Sequence, residues 1–208
     1  MAAPVIAWSA EYVGADYISA ATTTTWSIGD VALLFVASDG DNTTSAAQSG
    51  LGNNLKAFTI LSEVSNGTAQ YSGWFYRWVD GSESTWPNCG FQWLGNESEQ
   101  VYGILMQITG VTREYPLITP AAVVATTANP NPPAVPALKE SRDVLYLVAT
   151  SHDHTDTWAS DPSGYATVQN GNSGTGSGDC GGAVAYLAVT GSDAVDPARS
   201  RTPGLRRP

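Results

Sequence analysis

The sequence predicts an all-β chain, an antiparallel β-sandwich of jelly-roll-like kind with an internal pseudo-repeat. Three observations predict it. Helical periodicity is nearly absent from the 208 residues. Short apolar runs rich in Val, Ile, Tyr, Trp and Phe alternate with clusters of Gly, Ser, Thr, Asn and Asp. Three segments of the first half return, in the same order, in the second.

The expected strands run Val5–Trp8, Thr22–Ile28, Val31–Ala37, Phe58–Val64, Tyr71–Val79, Phe91–Leu94, Val101–Thr109, Ala121–Ala128, Val144–Thr150, Tyr165–Gln169 and Gly182–Val189. Each is an apolar or β-branched run bounded by turn residues. Together they fill one sandwich, so residues 1–198 read as a single domain. The pseudo-repeats cover about 22–116 and 121–197.

The repeat rests on three collinear matches. Gly29-Asp30-Val31 through Ser38 matches Arg142-Asp143-Val144 through Ser151, Phe58–Leu61 matches Tyr165–Val168, and the strand Gly73–Val79 ending in Asp80-Gly81-Ser82-Glu83 matches Gly182–Val189 ending in Thr190-Gly191-Ser192-Asp193. The offsets are 113, 107 and 110 residues, so order is kept while loop length varies. Between the halves lies the Pro-rich stretch 129–136. Proline cannot donate to a ladder, so this segment reads as an extended crossover from one sheet to the other.

Tyr71–Val79 is unusually aromatic. Period-2 alternation puts Trp74, Tyr76 and Trp78 on one face and Tyr71, Phe75 and Val79 on the other. A strand apolar on both faces is either central between two layers or covered by a partner or ligand.

Composition excludes some classes. Charged residues are 13% of the chain and hydrophobic ones 42%, which is not a disordered profile. With 19 acids against 9 bases the net charge is −10, opposite to a nonspecific nucleic-acid binder. The charge is unevenly placed. Residues 1–198 hold all 19 acids and only five bases, for −14, while the last ten hold Arg199, Arg201, Arg206 and Arg207, for +4. Residues 199–208 therefore read as a basic C-terminal arm suited to an acidic neighbour. No apolar run approaches the length of a membrane span. The opening Met1-Ala-Ala-Pro-Val-Ile has no basic n-region or long h-region, so no secretory signal is expected.

Three constellations bear on chemistry. Gly178-Asp179-Cys180-Gly181-Gly182 resembles the nucleophile signature of chymotrypsin-like proteases, in which glycine turns expose the nucleophile and form an oxyanion hole. That family places its histidine far upstream, whereas His152 and His154 lie only 28 and 26 residues before Cys180. A Gly-rich entry to a strand is the plainer reading. The stretch around His152 and His154, or the Asp39/Asp41 loop, could ligate a metal, but neither has a complete ligand set in sequence. Cys89 and Cys180 could pair, but sequence does not show proximity. No nucleotide, redox or zinc-protease motif occurs, so no cofactor is expected and the chain reads as non-enzymatic.

The residues also carry a resemblance. It lies in Trp26-Ser-Ile-Gly-Asp-Val-Ala-Leu-Leu-Phe-Val36, Phe58-Thr-Ile-Leu61, Gly73-Trp-Phe-Tyr-Arg-Trp-Val79 and Gly81-Ser-Glu-Ser-Thr-Trp86. It continues in Leu105-Met-Gln-Ile-Thr-Gly-Val111 with Pro116, and in Gly191-Ser-Asp-Ala-Val-Asp-Pro197. Together these resemble β-sandwich virion structural proteins of tailed bacteriophages, over roughly residues 22–197. Lys56-Ala57 departs from the usual Gly-Trp of that pattern. The resemblance implies a structural protein of the virion, assembled in the host cytoplasm. The expected role is a capsid decoration or cement protein that binds the major capsid protein or other virion proteins as a trimer or dimer. It implies no catalytic residue. The expected contact residues are Trp74, Tyr76 and Trp78 with the four arginines of the arm. A glycan-binding module of a tail fibre or tail tip is the rival reading, since sugars stack on exposed Trp and Tyr. A sandwich hydrolase is the third.

Overall fold

A computed structural model describes residues 3–15, 17–21, 24–39, 46–49, 56–65, 70–81, 90–94, 100–113, 133–138, 141–153, 161–174 and 179–191. In chain order the strands are β1 Val5–Ala15, β2 Tyr17–Ala21, β3 Val31–Asp39, β4 Ala46–Ser49, β5 Lys56–Ala57 and β6 Thr59–Ser65. They continue with β7 Gln70–Trp78, β8 Gly90–Leu94, β9 Gln100–Thr109, β10 Arg142–Asp153, β11 Ala166–Asn172 and β12 Cys180–Gly191. Among the described residues they form a five-stranded sheet β1-β9-β3-β7-β6, a three-stranded sheet β10-β12-β11 and a four-stranded sheet β2-β8-β4-β5. The pairings of these sheets are antiparallel. The fold is a β-sandwich.

Strands β3 and β9 explain why. Val31 through Ser38 and Val101 through Ile108 are buried without interruption, so neither strand has a face for water. On the inner side Val31, Leu33, Phe35 and Ala37 join Tyr102, Ile104, Met106 and Ile108. These meet Leu145, Leu147, Ala149, Val168, Cys180 and Val184 from the three-stranded sheet. On the opposite side Leu34, Val36, Phe75 and Leu105 are covered by Trp26 and Phe58 and flanked by Trp8 and Tyr12. The Trp8 and Trp26 rings meet edge to face, 6.4 Å between centroids. The three-stranded sheet is also buried outward, where Val148, Ala183 and Ala185 pack beside Tyr165.

The segments matched in sequence occupy corresponding places. β3, β7 and β6 lie in the spatial order first, third, second, and so do β10, β12 and β11. Thr59 pairs with Tyr76, and Ala166 with Tyr186, which are the positions the sequence offsets equate. Both second strands then shift register at the matched residue, Leu61 in β6 and Val168 in β11. Each bulge delivers an extra apolar side chain to the inter-sheet core. The first strands differ from the sequence offset by one residue. Val31, Leu33 and Phe35 correspond by facing to Leu145, Leu147 and Ala149, one position beyond the match of Asp30 with Asp143. A one-residue slip exchanges the two faces of a strand, and core contact decides it.

Thr22–Ile28 is not a strand where the structure describes it. Residues 24–30 form a bend and turn instead. Asp30 N donates to Ser27 O at 3.0 Å and Gly29 has φ of 95°, the arrangement of a type II turn with glycine at its third position. Gly29 N then donates to Val79 O and Val79 N to Asp30 O, extending the β3–β7 ladder. β-branched threonines favour strands, but here Thr24 and Thr25 bind Gln107 and Trp26 fills the core. β1 is longer than its expected Val5–Trp8 core and also shifts register, between Ile6 and Trp8. Ala121–Ala128 lies outside the described residues.

Backbone strain and side-chain room separate cleanly at two glycines. A Cβ at Gly29 or at Gly191 would meet nothing within 4 Å, but only Gly29 has a positive φ. Gly29→Ala should therefore cost about 1–2 kcal/mol in urea unfolding through strain alone. Gly191→Ala should stay within about 0.5 kcal/mol of the parent. Equal effects would contradict the turn assignment.

Candidate functional site

The residues with chemical potential fall into three groups: the glycine-flanked cysteine, the aromatic face of β7 and a buried polar cluster at the start of β3. Cys180 opens β12 opposite Asp153 of β10. Its side chain is fully buried, with Sγ–H 3.3 Å from the carbonyl oxygen of Gln100 and 3.4 Å from that of Ala37. Ser173 holds its backbone from both sides. Cys180 N donates to Ser173 Oγ at 2.9 Å, and Ser173 N donates to Cys180 O at 2.8 Å. Burial pushes the thiol up to about 11, against the smaller pull of the Ser173 hydroxyl and the backbone of Asp39 and Tyr102. A nucleophilic cysteine needs the opposite shift and an open approach.

Gly182 beside it serves packing. A Cβ on Gly182 would come within 2.9 Å of the Phe35 ring and 3.3 Å of the Tyr102 ring. Gly182 thus lets the three-stranded sheet settle on two aromatic rings of the five-stranded one. Tyr102 donates its hydroxyl to Glu11 Oε2 at 2.7 Å, and Gly171 lies against both. Burial and that hydrogen bond hold the Tyr102 phenol well above the usual tyrosine range. Of the protease-like signature, Cys180 and Gly182 are thus packed at the closure of the two sheets. Cys180 is a free thiol, and Cys89 lies outside the described residues.

Trp74, Tyr76 and Trp78 are half-buried and turned toward the inter-sheet core. Trp74 packs on Phe35 with 5.1 Å between ring centroids. The Arg113 guanidinium sits 5.4 Å from the centre of the Trp78 ring. On the other face of β7, Tyr71, Phe75 and Val79 are buried. The strand is thus apolar on both faces because it lies between two layers. Arg77 lies between Phe75 and Val79 on that same face, buried, with its Nη2 3.3 Å from Asp80 Oδ2.

Sequence reasoning missed the polar cluster. Asp30 Oδ2 accepts from Ser27 N at 2.8 Å and from Gln107 Nε2 at 2.6 Å. Gln107 Nε2 also donates to Thr25 O at 2.9 Å, and Thr24 Oγ1 donates to Gln107 Oε1 at 2.8 Å. Asp30 and Gln107 are both buried, and their bonds tie the turn before β3 to the end of β9. The available signal was Gly29-Asp30 directly before an apolar strand, which reads as a turn and its capping residue.

A groove of about 400 Å³ lies between β1 and the three-stranded sheet, lined by Ile6, Ser9, Leu145, Val168, Tyr186 and Ala188 among others. Asp39 ends β3 and His152 lies near the end of β10. Asp41, His154, Arg199, Arg201, Arg206 and Arg207 lie outside the described residues. Among the described residues no group of three His, Cys, Asp or Glu side chains could hold a metal. No helix among them is long and apolar enough to cross a membrane. Compared with family models, with curated proteins and with solved structures, the chain matches none of them.

Two predictions concern Cys180. In a Cys89→Ser background, labelling by a thiol reagent at pH 8 should proceed only as fast as the fold opens, and rise sharply in urea. Rapid labelling of the folded chain would show an accessible thiolate. The thiol's ordinary value is 9.0, against about 11 in the fold. Unfolding then releases a proton between those values. Stability from this group is complete below pH 9 and is lost as pH rises toward 11, on the order of 3 kcal/mol. Cys180→Ser should flatten the fall of the urea midpoint over that window, and an unchanged slope would contradict the shift.

For the polar cluster, Asp30→Ala should cost about 3 kcal/mol in urea unfolding, because it strands buried donors. Asp30→Asn keeps an acceptor oxygen and should recover most of that loss. Equal losses for both would contradict the hydrogen-bond account.

Proposed function

We propose that this chain is a non-enzymatic structural protein, which works by burying its outer surface against neighbouring proteins in a larger assembly. The observation that carries the reading is how the reactive groups are used. Cys180 is buried as a protonated thiol, Tyr102 is bound to Glu11, and Gly182 is taken up by the approach of two sheets. The segment that most resembled a catalytic signature holds the sandwich together.

The setting we propose is the virion of a tailed bacteriophage, with the chain as a capsid decoration or cement protein. Support comes from the sequence resemblance. Among the described residues, its motifs place Gly29-Asp30 at the turn into β3, Phe58 over the outer core and Arg77 buried in β7. The expected partners are the major capsid protein or other virion proteins, and further copies of this chain. Residues 199–208 carry +4 against −14 for the remainder, a balance that favours docking on an acidic neighbour. A glycan platform on Trp74, Tyr76 and Trp78 is the weaker reading, because these rings face the inter-sheet core. Sugar stacking needs an open ring face.

Association costs translational freedom and side-chain order, so a stable contact needs a sizeable, well-fitted surface. The test is occupancy. The recombinant chain should sediment with phage capsids that lack it, at a fixed ratio to the shell protein, and run as a dimer or trimer in light scattering. Removing residues 199–208 should reduce occupancy, most visibly at low salt where charge attraction is least screened. A monomer that never sediments with capsids would overturn the reading. Full occupancy without the arm would remove the arm from it.

A further inference from the structure

We draw no further inference here: the strongest candidate, the groove of about 400 Å³ between β1 and the three-stranded sheet beside Ile6, Leu145 and Val168, is an unpartnered apolar surface, and nothing in the structure shows what covers it.

Discussion

The architecture depends on one constraint: β3 and β9 have no polar face. Every residue from Val31 to Ser38 and from Val101 to Ile108 is buried, so a covering layer must lie on each side. On one side the three-stranded sheet provides it, through Leu145, Leu147, Val168 and Val184. On the other, Trp26 and Phe58 fold over Leu34, Val36 and Phe75. Both come from segments adjoining strands, which explains why neither belongs to a strand itself. Register shifts occur in β1, β6 and β11, while β3–β7, β3–β9 and β10–β12 pair without interruption. Among the described residues β1, β6 and β11 end their sheets, where a bulge re-aims a side chain without breaking a central ladder.

The same constraint disposes of the chain's polar and reactive groups. A buried polar atom needs a partner, and for Asp30, Gln107, Tyr102 and Cys180 the fold provides one within itself. Asp30 and Gln107 satisfy one another and the turn before β3. Tyr102 reaches Glu11 from the core, and Cys180 sits against backbone carbonyls of two strands. These bonds join elements far apart in sequence.

Much of the fold was legible because its signals are local. Val31–Ala37 and Val101–Thr109 are apolar runs too short for membrane helices and rich in β-formers, and both are central strands. The alternation in Tyr71–Val79 correctly separated its two faces. What those faces meet is a tertiary fact, and period-2 patterning is equally compatible with an outer surface. The failures have the same origin. Thr24 and Thr25 carry strand propensity, yet both bond to Gln107 and lie in the bend before the Ser27–Asp30 turn. Ser9-Ala10-Glu11 lacks β-formers, yet pairing with β9 keeps it in β1. β2, β4 and β5 are short or poor in large apolar residues, so tertiary pairing alone reveals them. For the site, the Gly-Asp-Cys-Gly-Gly pattern was visible, but its purpose was not, because Gly182 is explained by Phe35 and Tyr102 in distant strands.

The two sheets close on each other at Gly182, where a Cβ would meet the Phe35 ring. A double-mutant cycle between Phe35 and Gly182 tests it most directly. Gly182→Ala should destabilise the chain by about 1–3 kcal/mol, because its Cβ would crowd the Phe35 ring. Phe35→Leu removes that ring, so the double variant should lose less than the two single losses combined, by about 1 kcal/mol or more. Additive losses would mean that the two residues do not touch, and would contradict the sheet packing on which the account rests.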